Sequence, residues 1–169
     1  MKSRAWLKIL SCFAILAAAP VIAATSVHAT TVVALGASNT YGKGVARNQA
    51  FPAQLEAILR AKGLNARVVN AGINGDTTEG MLRRMDGVIS KGVSAVILQP
   101  GGNDRRKGSA DRTAEIQSRL SARGIAVIMV PNSALHGLPH QPDGQHLTPE
   151  GYHMLAESLA SQVAGAIGR

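Results

Sequence analysis

Apolar, β-branched runs alternate with segments of helical spacing along this chain, and that alternation restricts its fold more than any other feature. Thr31-Val32-Val33-Ala34-Leu35 is unbroken by polar residues, as expected of a strand buried on both faces of a parallel sheet. Comparable runs occupy 67–71, 94–99 and 125–130. Helical spacing fills the intervals at 51–62, 77–90 and 111–123, with Glu56/Arg60 and Glu115/Arg119 four apart on the first and third. A last helix is predicted from Thr148-Pro149, a cap followed by proline at the first helical position, towards Gly168. Parallel strands need crossover connections, so the pattern predicts an α/β fold with helices on both faces of a parallel sheet. Such sheets bind ligands beyond the carboxyl ends of their strands.

The first thirty residues differ in kind. Lys2, Arg4 and Lys8 precede an uncharged, mostly apolar run over 9–27, and Val27-His28-Ala29 supplies small residues suited to cleavage. This is the pattern of a secretory signal peptide over 1–29, leaving one domain over 30–169. An uncleaved anchor is the competing reading, because the run is nearly long enough to span a bilayer; Pro20, Thr25 and Ser26 weaken its second half. The expectation is a periplasmic or secreted protein with no stable membrane insertion after cleavage. Cys12, the chain's one cysteine, lies in this leader behind a poor lipobox, so disulfides have no part in the remaining 140 residues.

After residue 29 the basic side chains outnumber the acidic ones by five. That balance suits nucleic acid, an anionic surface or acidic small molecules. Tyr41, Phe51 and Tyr152 are the only aromatic residues beyond the leader, too few for the stacking platforms of single-strand binders, and no nucleic-acid motif is present. Arg83-Arg84 and Arg105-Arg106-Lys107 are read by default as solvated basic surface.

Four short blocks stand just after the four strand-like runs: Gly36-Ala37-Ser38-Asn39-Thr40, Asn70-Ala71-Gly72-Ile73-Asn74-Gly75-Asp76-Thr77, Gly101-Gly102-Asn103-Asp104, and Asp143-Gly144-Gln145-His146. Each alone is commonplace; in this order, over residues 32–164, they resemble the SGNH (GDSL-type) serine hydrolases. The resemblance implies a three-layer, flavodoxin-like fold with a short parallel sheet of about four strands in the order 2-1-3-4. It implies Ser38 as nucleophile, His146 as base and then acid, and Asp143 as the carboxylate that orients it. A serine hydroxyl needs such a base, and the base a carboxylate that fixes its tautomer. The oxyanion donors carried over are the Ser38 backbone N–H, the Gly75 N–H, with Gly72 as competitor, and the Asn103 amide. No cofactor and no metal are implied.

Two departures stand out. The family's Gly-Asp-Ser reads Gly-Ala-Ser here, with Ala37 in place of the aspartate, which is not the triad carboxylate. Only twelve residues separate Val130 from Asp143, where many secreted relatives carry another strand and helix, and this predicts a shallow, open cleft. Leu135 and Leu138 are candidates for its lining or for packing under the loop.

Arg105 and Arg106 follow Asn103-Asp104 at the expected cleft mouth and are candidate substrate contacts for phosphate-bearing esters. A phosphate loop at Gly36–Gly44 is disfavoured by wrong spacing. A metal site among His136, His140, His146 and His153 lacks any recognised ligand pattern. The expected function is an exported esterase of the arylesterase, thioesterase or lysophospholipase type acting on small ester or thioester substrates. The alternatives are a carbohydrate O-deacetylase of the cell envelope and a non-catalytic binding module that kept the fold.

Overall fold

The computed structural model describes residues 29–168; the proposed leader, apart from Ala29, lies outside the described residues. Four strands, β1 (Thr30–Gly36), β2 (Ala66–Gly72), β3 (Val93–Gln99) and β4 (Ala126–Met129), form one all-parallel sheet in the order 2-1-3-4. The longer helices are α2 (Phe51–Ala61), α3 (Thr78–Val88), α5 (Thr113–Ala122) and α6 (Pro149–Ile167), each within two residues of its expected start. Two short helices, α1 (Ser38–Tyr41) and α4 (Asn103–Lys107), carry no periodicity that a sequence could reveal.

β1 lies between two neighbours, and its residues alternate between two cores. Val32 and Ala34 join Phe51, Leu55, Leu155 and Leu159 beneath α2 and α6. Val33 and Leu35 join Met81, Met85, Ile116 and Leu120 beneath α3 and α5. Period-two alternation on an apolar strand therefore produces a three-layer sandwich. The stripe Tyr152, Leu155, Ala156, Leu159, Ala160 and Val163 faces α6 inward at helical spacing. Thr148 caps that helix by accepting the Gly151 N–H at 3.1 Å, and Thr77 caps α3 through the Gly80 N–H at 3.1 Å.

The default reading of Arg83 and Arg84 as solvated surface holds only for the first. Arg83 pairs with Glu79 along α3 and is exposed. Arg84 is 19% exposed, pairs with Asp76 at 2.8 Å and donates to the Gly36 carbonyl at 3.2 Å, tying α3 to the end of β1.

α1 sits against the strand ends because two glycines leave room for it. A Cβ at Gly36 would lie 2.1 Å from Thr40 Oγ1, and one at Gly72 would lie 2.1 Å from the Tyr41 backbone nitrogen. The second obstacle is backbone and cannot swing aside. Gly72→Ala should therefore cost at least about 2 kcal/mol in urea denaturation. Gly87→Ala, in α3 with open space around its missing Cβ, should stabilise by about 0.5–1 kcal/mol. Equal effects at the two positions would refute this account of α1.

Candidate active site

β1 delivers Ser38 to the carboxyl edge of the sheet. The first backbone bond of α1 runs from the Tyr41 N–H to the Ala37 carbonyl at 2.9 Å, so the Ser38 N–H precedes the helical ladder and has no intrahelical acceptor. Ala37 is 2% exposed and packs in the core under α3 and α5. Thr40, one turn on, is buried and donates to Gln99 Oε1 at 3.3 Å.

The loop after β4 returns to the same edge through a 3₁₀ turn (Asn132–Leu135) and an antiparallel bridge between His140 and Leu147. Asp143 opens a turn in which its Oδ1 accepts the backbone N–H groups of Gln145 (2.9 Å) and His146 (3.0 Å). Its Oδ2 lies 2.5 Å from His146 Nδ1, and His146 Nε2 lies 2.9 Å from Ser38 Oγ. A carboxylate only accepts, so Nδ1 carries the proton and Nε2 is left to accept from the serine. The bond from the imidazole, then those from the His146 and Gln145 backbone, hold the Asp143 carboxyl well below the usual carboxylate range. What these bonds add to the folded state is present above the ordinary aspartate pKa and is lost as pH falls through the lower folded value.

A second tie holds the two loops together. Asn39 donates to the Gln145 carbonyl at 3.1 Å and accepts from Tyr152 Oη at 3.0 Å. Tyr152 is fully buried. Burial pushes its phenol up to about 12, with a backbone bond from Leu147 working against the shift and the Asp143 charge adding to it.

Asn103 opens α4 and is 4% exposed. Its Nδ2 donates to the Asp76 carbonyl at 2.7 Å, while Arg106 donates to its Oδ1 and, with the other arm, to Gln145 Oε1. One amide hydrogen is spent on backbone and the amide oxygen faces a cation, which fixes the rotamer and leaves the second N–H uncommitted. Asp104 anchors the other side of α4 by accepting the Thr78 N–H at 3.1 Å and its hydroxyl at 3.0 Å.

Ser38, Asn103 and His146 share the wall of one open cleft of about 420 Å³. Arg105 and Arg106 lie on the same wall, as do Gln99, Asn132, Gln145, His136 and His140. Ala37 and Leu135 are its apolar side chains; Leu135 also packs in the core, with Leu138 beside it. Gly75 is not on the wall. It turns at φ +72°, its carbonyl accepts from Lys107 Nζ at 2.6 Å, and the next residue holds the Asn103 amide. Gly72 lines a separate small hollow with Tyr41 and Asn70.

Arg105, Arg106 and Lys107 are all exposed, as the default reading of a solvated surface has it, and Arg106 and Lys107 in addition bond to neighbouring loops. Of the four histidines considered for a metal, His140 Nδ1 donates to the Leu138 carbonyl at 2.6 Å and His153 bonds Gln54 at 2.7 Å. Among the described residues no group of three His, Cys, Asp or Glu is placed to hold an ion. Sequence reasoning missed Asn39, Tyr152, Gln99 and Gln145. The local signals were that Asn39 follows Ser38 directly and that Gln145 precedes His146 within the fourth block.

The family model of GDSL-like lipases and acylhydrolases matches residues 34–160. The chain belongs to that family. Esterase TesA of Pseudomonas aeruginosa is 35% identical over 95 residues, which are 56% of this chain and 46% of that protein. The chain thus matches about half the length of that curated relative. Among solved structures, the SGNH-hydrolase family esterase AlinE4 is 26% identical with a TM-score of 0.54, covering 82% of this chain and 74% of the other. A carbohydrate acetylesterase family member from Sinorhizobium meliloti shares the fold at 18% identity and a TM-score of 0.66, covering 83% and 100%.

In this GDSL-like chain the Tyr152 bond should be measurable without disturbing the ring's packing. Tyr152→Phe removes the donor to Asn39 and should cost about 1 kcal/mol at neutral pH by urea denaturation. A phenol whose folded pKa is raised stabilises fully below its ordinary value of about 10 and loses that contribution as pH climbs to the folded value. The native protein should therefore lose stability between about pH 10 and 12 more steeply than the phenylalanine variant. Parallel curves would contradict the assignment.

Proposed function

We propose that the protein is an exported serine esterase that hydrolyses short-acyl carboxylic esters or thioesters, with Ser38 as nucleophile, His146 as general base and acid, and Asp143 orienting the imidazole. The observation that carries this reading is the continuous hydrogen-bonded line from Ser38 Oγ through His146 to Asp143. As Oγ attacks the carbonyl carbon, its proton passes to His146 Nε2, and the ionised Asp143 stabilises the imidazolium. The negative charge that develops on the carbonyl oxygen is met by the Ser38 N–H and the free N–H of the Asn103 amide, while the turn at Gly75, off the cleft wall, holds that amide through the Asp76 carbonyl. Such donors count because they are aimed before the charge appears. His146 then protonates the leaving oxygen or sulfur, the acyl group remains on Ser38, and a water activated at the same nitrogen releases the acid.

Among arylesterase, thioesterase and lysophospholipase substrates, the cleft favours those with small acyl groups. Its volume is at the low end of the ~300–1,000 Å³ usual for ligand pockets, and its wall is more polar than apolar. Arg105 and Arg106 are proposed as its substrate contacts. The same polar wall supports a second substrate, the O-acetyl groups of cell-envelope sugars. Export rests on the leader pattern over 1–29. Among the described residues no helix is long and apolar enough to cross a membrane.

The test is a p-nitrophenyl ester series from acetate to palmitate. Turnover should peak at acetate or butyrate and fall by at least about 10⁴-fold in Ser38→Ala. Asn103→Ala should lose about 10²–10³ in kcat, and Arg106→Ala a smaller part of the same kcat through the freed amide rotamer. Activity retained by Ser38→Ala, or a palmitate optimum, would refute the mechanism or the cleft reading respectively.

A further inference from the structure

We propose that the cleft rim formed by α4 is an anion subsite centred on Arg105, which selects short esters carrying a carboxylate or phosphate beside the scissile bond. The inference rests on the serine-esterase reading and names its substrate class.

Six arginines outside the cleft have acidic partners, whereas the two on its wall have none among the described residues. Arg60, Arg83, Arg84, Arg112, Arg119 and Arg123 each lie within 4 Å of an aspartate or glutamate. Two arginines line the cleft, and no aspartate or glutamate does. Arg106 spends its donors on two neutral amide oxygens, which hold it in place without cancelling its charge. Arg105 has no ion pair among the described residues, and its neighbour Lys107 is drawn away to the Gly75 carbonyl.

The acids on the neighbouring segments are held by other groups. Asp104 accepts from Thr78 and Ser109, Asp76 pairs with Arg84, and Asp143 holds His146. Ala37, standing where Gly-Asp-Ser has its aspartate, brings no carboxylate to this end of β1. Two arginines with no carboxylate within 4 Å among the described residues therefore line a small, mostly polar cleft that also holds Ser38. A planar guanidinium meets a carboxylate or phosphate with two parallel N–H donors, a match that a neutral ester lacks.

The experiment compares two pairs of esters. Mono-p-nitrophenyl succinate against p-nitrophenyl butyrate places the anion on the acyl side; 4-acetoxybenzoate against its methyl ester places it on the leaving group. The anionic member of at least one pair should be favoured roughly 10- to 100-fold in kcat/KM, mostly through KM. High salt should shrink the preference. Arg105→Glu should reverse it and Arg105→Lys should keep part of it, both at an exposed position that folding tolerates. Equal or greater use of the neutral member in both pairs, or a preference indifferent to Arg105→Glu, would overturn the subsite. Absence of turnover on all four esters would instead sink the hydrolase reading. Chemical-shift titration with monomethyl succinate against dimethyl succinate would then decide the subsite alone, with selective binding of the anion upholding it and equal binding overturning it.

Discussion

Parallel pairing of β1 with both neighbours, continuous from Val32 to Gly36, is the constraint on which everything else rests. Gly36 pairs with Gly72 on one side and with Gln99 on the other, and Leu98 of β3 pairs with Met129 of β4. The strands therefore end at one level, and the chain must leave each of them at the same edge of the sheet. Ser38, Gly75, Asn103 and His146 each lie in a segment following one of those ends. A slip of one residue at β1 would turn its apolar residues from one core to the other, and the pleat forbids it energetically.

The strands and long helices were legible because burial on two faces leaves apolar runs, and burial on one leaves a stripe. Val32 to Leu35 and the stripe from Tyr152 to Val163 are the plainest cases. The strand order and the identities of Ser38, Asn103, Asp143 and His146 as candidates came from the order of four motifs, not from periodicity. What stayed hidden was of two kinds. α1 and α4 are too short to show a period. The remaining contacts join residues far apart in the chain: Asn39 with Tyr152, Arg84 with the Gly36 carbonyl, Arg106 with Gln145. No local pattern marks such pairs, since each depends on where the sheet edge gathers its loops.

The run Arg105-Arg106-Lys107 shows how one stretch of charge divides once folded. A helix of five residues points consecutive side chains about 100° apart, so the three cations meet different surroundings. Lys107 ties down the loop after β2, Arg106 clamps the Asn103 amide and Gln145 together, and Arg105 is left on the cleft wall. Composition alone reports three equivalent positive charges; geometry distinguishes an anchor, a clamp and a free donor.

Asp143 and His146 lie three residues apart and bond within one turn, whereas Ser38 lies 108 residues from His146. The Asp143–His146 pair is thus a local object that survives as long as its turn does, while its union with the Ser38 hydroxyl depends on two loops staying docked at the sheet edge. Loops open at lower free energy than cores. Under the proposed mechanism this design carries a fuse: the Asp143–His146 pair would part from Ser38 while the sheet is still intact, and the line would re-form when the loops close again.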